Sequence, residues 1–190
     1  MFIDFLTLLL LNMTAGLAIA AVYFLRGIVS ADARPYAPAF LVVGLVATIF
    51  GGAIVTHWPV PKPWLWANMA FGEMSVLLGM VFLGAAVATA MGWRLTLLGV
   101  YAALAGIAAV VLGVGFLPGA ATEKGLTAAP MMSAAAFMLT GLAGVLALPT
   151  LLWPRKPLRI LTSVVLLSAV VLWAATTYMS YWAHLVRYAQ

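Results

Sequence analysis

The chain has no cysteine, two histidines and four acidic residues in 190 positions. The first absence excludes disulfides, thiolate nucleophiles and cysteine-ligated zinc or iron–sulfur centres. Two histidines cannot supply the stacked ligand pairs of a two-haem cytochrome. Charge is scarce as well: 7% of the residues are charged, against roughly 25% in soluble domains. A soluble fold of this composition would lack the polar groups to cover its surface. No Ser/His/Asp set for acyl transfer, no phosphate-binding loop and no zinc-hydrolase motif is present, so no catalytic residue is assigned.

What remains is mostly hydrocarbon. Hydrophobic residues make up 66% of the chain, and the mean hydropathy is +1.18. The apolar runs reach the roughly 20 residues a helix needs to cross about 30 Å of hydrocarbon. These features predict an all-α, polytopic membrane helix bundle, a single transmembrane domain over 1–190 with short loops. Six spans are expected, at Phe5–Leu25, Pro38–Thr56, Leu65–Ala90, Leu95–Leu117, Ala129–Leu152 and Leu158–Tyr181. Turn residues punctuate them: Arg26-Gly27, the Trp58-to-Pro63 stretch, Gly92-Trp93-Arg94, Pro118-Gly119 and Trp153-Pro154. Tryptophans 58, 64, 66, 93, 153 and 182 fall at the predicted water–lipid interfaces, where an indole is favoured. The apolar start lacks the basic stretch of a secretory signal, its one early charge being Asp4, and reads as a retained first helix.

The net charge of +5 does not point to nucleic acid. Apart from Arg155, Lys156 and Arg159, the basic residues are scattered singly between apolar runs, which is a topology pattern. The expected partner is the lipid bilayer of an inner membrane, with further membrane subunits or copies of the chain. Arg26, Arg34, Arg94, Arg155, Lys156 and Arg159 fall in the odd-numbered loops, and Lys62, Lys124 and Arg187 on the other side. The bias of lysine and arginine toward the cytoplasm then places both termini outside.

Among the acids, Glu73 stands apart. It is expected some eight residues inside the third span, about 12 Å deep at 1.5 Å per residue. A charge there costs roughly 2.5 kcal/mol, so Glu73 is expected to face the bundle interior with a polar partner. Asn12, His57 and Asn68 are the candidates on the same side, and the four form the predicted intramembrane polar site. Met69, Met131, His57 and His184 lie toward the same side and are candidate copper ligands, since soft thioether and imidazole suit that metal. Carboxylate plus amide would suit a proton or the hydroxyl of a quinone's reduced form. Each has a plainer reading: methionine fills gaps in cores, and a histidine at a helix end is most often an interfacial residue.

The segments Asn12-Met13-Thr14, Glu73-Met74-Ser75 and Met131-Met132-Ser133 echo one another about sixty residues apart, as a tripled helical hairpin would. Small residues recur along the spans, as in Gly84…Ala88, Gly99…Ala103 and Gly141-Leu142-Ala143-Gly144, and let helices approach closely. Trp58-Pro59-Val60-Pro61, followed by Ala70-Phe71-Gly72-Glu73, resembles the bacterial and archaeal membrane proteins classed as domain of unknown function 981. The opening Met1-Phe2-Ile3-Asp4, Asn12-Met13 and the Gly92-Trp93 turn agree with it. Where those proteins commonly carry a Gly-Pro-Tyr-Asn-like segment, this chain has Trp66-Ala67-Asn68-Met69. The resemblance implies a multi-helix membrane protein and brings no activity.

Three functions compete on these grounds. The first is an accessory or structural subunit of a larger inner-membrane assembly, such as a redox-linked one, supported by tiny loops and abundant helix-docking residues. The second is a small transporter or channel for protons, metal ions or a small solute, using Glu73. The third is a quinone- or copper-binding redox protein.

Overall fold

Among the described residues, six helices are long and apolar enough to cross a bilayer. The computed structural model describes residues 5–60, 65–117 and 128–188. The helices are α1 Phe5–Leu25, α2 Ala37–His57, α3 Leu65–Met91, α4 Thr96–Gly115, α5 Ala128–Leu152 and α6 Lys156–Tyr188. No strand occurs among the described residues. Short 3-10 turns at Gly27–Val29 and Arg34–Tyr36 link α1 to α2.

The helix ends have local causes. Pro38 sits in the first turn of α2, where its missing N–H has no helical partner to lose. Trp58 closes α2 in the left-handed region, at φ 45°, a conformation common just past a helix end. Gly92, at φ 70°, does the same after α3, where a residue with a Cβ would be strained. The last helix differs most from expectation, starting at Lys156 instead of Leu158 and running on to Tyr188 instead of Tyr181. Lys156 and Arg159 cluster at its start, His184 and Arg187 at its end, so it outreaches the hydrocarbon on both sides. Asp4, Lys62, Trp64, the Pro118-Gly119 turn, Glu123 and Lys124 lie outside the described residues.

Each helix packs against the next, and α6 returns to α1, so the six form a closed ring. The start of α1 and the end of α6 lie on one face, called here the terminal face. The α2–α3 and α4–α5 seams are the most extensive, and α3–α4 is the sparsest. Glycine explains the close ones. Gly44 and Gly51 on α2, Gly72 and Gly79 on α3, and Gly99, Gly106 and Gly113 on α4 recur at seven-residue intervals, which keeps each set on one face of its helix. A Cβ on Gly106 would lie 2.5 Å from the Gly141 carbonyl oxygen, and one on Gly51 would lie 3.0 Å from that of Gly72. With no hydrophobic driving force between helices in lipid, such backbone contact is the main source of packing energy.

The closing seam is polar. Arg159 Nε donates to the Phe24 carbonyl at 3.2 Å, and its terminal nitrogen donates to that of Leu25. Ser163 Oγ donates to the Ala21 carbonyl at 2.9 Å. The Phe24 and Leu25 carbonyls belong to the last turn of α1, where no partner is available within the helix and the negative dipole end lies. The Thr150 and Thr162 hydroxyls, 2.9 Å apart, join α5 to α6. We expect Arg159→Met, which keeps the stem and loses the donors, to cost about 1–2 kcal/mol. A lowered Tm in detergent would show it, and an unchanged Tm would show that the latch does not stabilise the ring.

Candidate functional site

The ring encloses a cavity of about 150 Å³, lined by residues of all six helices. Along α1 it reaches from Met13 to Phe24, about 16 Å at 1.5 Å per residue. Leu17, Leu78, Val81, Ala105, Ala143 and Ala147 line its middle. Among the described residues, only two lining side chains, Tyr23 and Thr140, carry a polar nitrogen or oxygen.

Aromatic side chains wall the cavity at both ends. On the face away from the termini, the ring of Tyr23 meets Tyr36 at 5.3 Å and Phe40 at 5.4 Å, both edge-on, while Phe40 meets Phe82 at 5.6 Å. Such geometry adds roughly 0.5–1.5 kcal/mol per pair beyond burial. Gly27 makes room for this cluster, since a Cβ there would lie 2.6 Å from the Tyr23 ring and 2.8 Å from that of Tyr36. Tyr23 is only 7% exposed. Toward the terminal face, Phe137 stands 5.0 Å from Trp173, 5.4 Å from Phe71 and 5.5 Å from Phe116, and Phe116 reaches Trp66 at 4.8 Å. Trp173, fully buried, donates its indole N–H to Thr140 Oγ1 at 2.9 Å.

Beyond Tyr23 lies a second hollow of about 460 Å³, lined by Ser30, Asp32, Arg34, Thr89, Gly92 and Trp93. This polar mouth is shaped by the loop after α1. Ser30 Oγ donates to the Asp32 carbonyl at 2.9 Å, and Asp32 Oδ1 accepts the Arg34 backbone N–H at 3.0 Å. Tyr23 lines both the mouth and the apolar cavity.

The residues expected to form the intramembrane polar site are placed separately. Glu73 does not face the interior; it is exposed on the outer surface of α3, with Met69 and Met80. The cause is the seam. Gly72, Ser75 and Gly79 pack against α2, and Phe71 enters the aromatic cluster. At 100° per residue, Glu73 points about 200° away from Phe71. No hydrogen bond joins Glu73 to Asn12, His57 or Asn68 among the described residues. Asn12 Nδ2 instead donates to the Val43 carbonyl at 3.0 Å, tying α1 to α2. Asn68, fully buried, accepts the Val60 N–H at 2.9 Å and donates to the Val60 carbonyl at 2.8 Å, which fastens the α2–α3 loop. His57 is exposed at the end of α2, its Nδ1 3.0 Å from the Ala53 carbonyl and 2.8 Å from Thr56 Oγ1.

Of the candidate copper ligands, Met69 and Met131 are exposed on α3 and α5, and His184 is half-buried on α6. No group of three or more His, Cys, Asp or Glu residues that could hold a metal occurs among the described residues. Tyr23, Phe137, Thr140 and Trp173 were missed by sequence reasoning. Aromatic residues in an apolar chain carry no local sign of facing a lumen. The seven-residue glycine spacing, by contrast, was there to be read and would have shown which faces meet a neighbouring helix.

The six apolar helices thus form a closed ring around an axial cavity. The Helicobacter pylori urea channel, in its closed state, matches with a TM-score of 0.70 and 17% sequence identity, over 96% of this chain and 98% of that one. At that identity the likeness establishes the shared fold. No curated protein matches the sequence. The chain belongs to the family described as protein of unknown function DUF981, whose model matches residues 1–187.

Proposed function

We propose that this protein is a channel for a small uncharged solute, with its path along the axis of the ring. One observation carries the proposal: among the described residues Tyr23 alone lines both the polar mouth and the apolar cavity. A fold shared end to end with a urea channel supports it, and favours transport over the expectation of an accessory subunit. Charge is excluded as cargo by the lining. Among the described residues no ionisable side chain but Tyr23 lines the cavity, and moving a bare ion into such surroundings costs tens of kcal/mol on a Born basis. The uneven spread of lysine and arginine turns the mouth toward the cytoplasm of an inner membrane.

Proteoliposomes loaded with buffer and mixed with hyperosmotic neutral solutes test this by light scattering. We expect re-swelling faster than in empty vesicles for at least one small neutral solute, and no proton or metal-ion flux. Vesicles indistinguishable from empty ones across a panel of such solutes would reject the proposal. Because Glu73 lies outside the path, Glu73→Gln is expected to leave the flux unchanged, whereas a lost flux would return this carboxyl to the mechanism. Its outward stripe with Met69 and Met80 is where contact with another membrane chain would most help, since a charged carboxylate deep in lipid costs roughly 2.5 kcal/mol.

A further inference from the structure

We propose that the axial cavity binds one small apolar molecule of about the bulk of benzene, and that its occupancy stops passage through the ring. The blocking half rests on the channel reading above; the binding half stands on the cavity alone.

The cavity measures about 150 Å³. Of its two polar side chains, Thr140 is engaged twice: its hydroxyl donates to the Ala136 carbonyl at 2.8 Å and accepts the Trp173 indole N–H at 2.9 Å. Tyr23 stands at the mouth end, away from the middle. A buried water needs two to four polar partners, and an apolar cavity of about 150 Å³ stays dry and takes benzene or xenon instead. The end walls suit an aromatic guest, since Phe40, Phe82 and Phe137 all line the space and aromatic rings favour edge-on or offset contact. A guest held between these walls fills the volume a solute would have to cross.

Fluorobenzene is the probe. The protein in lipid nanodiscs is titrated with it and followed by 19F line broadening, with empty nanodiscs as reference. We expect saturable broadening that depends on the protein. Ala143→Leu, which fills the cavity, should weaken binding about tenfold or more, a change of roughly 1.4 kcal/mol or above. Met13→Ala, which enlarges it, should extend binding to p-fluorotoluene. In proteoliposomes, fluorobenzene should slow solute entry through the wild type, and Ala143→Leu, whose side chain takes up the same volume, should pass less solute whether or not the probe is present. Broadening equal to that of empty nanodiscs overturns the site, as does broadening insensitive to both substitutions. Saturable binding with undiminished flux overturns the block. Wild-type vesicles that pass no solute before any probe is added count against the channel itself, and the nanodisc titration still decides the cavity.

Discussion

Gly141→Ala is expected to prise α4 from α5 and to leave little folded protein in mild detergent. The new methyl would collide with the Gly106 carbonyl oxygen and come within 2.7 Å of Val110 Cγ2 and 2.8 Å of the Val110 backbone nitrogen. Two of these three neighbours are backbone, so no rotamer change relieves them. The helices must move apart along a seam whose energy comes from close approach. Overpacking a tight core costs typically 1–3 kcal/mol, and contact with backbone places this change at the upper end. Gly52→Ala supplies the control, because a Cβ there meets nothing within 4 Å. Alanine is also the better helix former by about 0.8–1.0 kcal/mol, so this variant should match or exceed the wild type. Size-exclusion profiles and thermal aggregation would compare the two, and equal behaviour would refute the account of the seam.

The second large effect concerns Tyr23. Removing its ring by Tyr23→Ala joins the mouth to the cavity, and solute flux in vesicles should rise about tenfold, equivalent to roughly 1.4 kcal/mol off the barrier. Tyr23→Phe keeps the ring and its contacts with Tyr36 and Phe40, so its flux should stay near that of the wild type. Stability will fall in the alanine variant, since emptying a buried aromatic site costs about 3–5 kcal/mol; flux is therefore normalised to correctly folded protein. An unchanged rate in folded Tyr23→Ala would show that the barrier lies elsewhere, with the Phe137 wall as the next candidate.

The six spans were readable because their signals are local. Long apolar runs, a proline in the first turn of α2, and glycine after α3 act on the residues beside them and leave tertiary packing little to change. The facing of each helix was another matter. In water, a polar residue marks the outer face of a helix and an apolar stripe the inner one. In lipid both faces are apolar, and Glu73 was assigned inward on the cost of burying its charge in hydrocarbon. The structure orders α3 by its smallest residues: Gly72 and Gly79 take the α2 seam, and the neighbour of Gly72 is carried outward with them. Asn12 and Asn68, expected around the glutamate, satisfy backbone groups of their own surroundings instead. The aromatic walls were harder still to foresee, since Phe71, Phe137 and Trp173 come from three different helices and meet only once the ring is complete.

The bonds from Arg159 and Ser163 reach back 134 to 142 positions along the chain to the end of α1. A ribosome delivers these two helices at opposite ends of its work. Until the sixth enters the bilayer, the first has neighbours on one side only, and the space inside the ring lies open to lipid along its flank. The final helix is thus the keystone of an arch: biogenesis must hold the preceding five in waiting, and a chain interrupted before residue 156 would leave a trough rather than a tube.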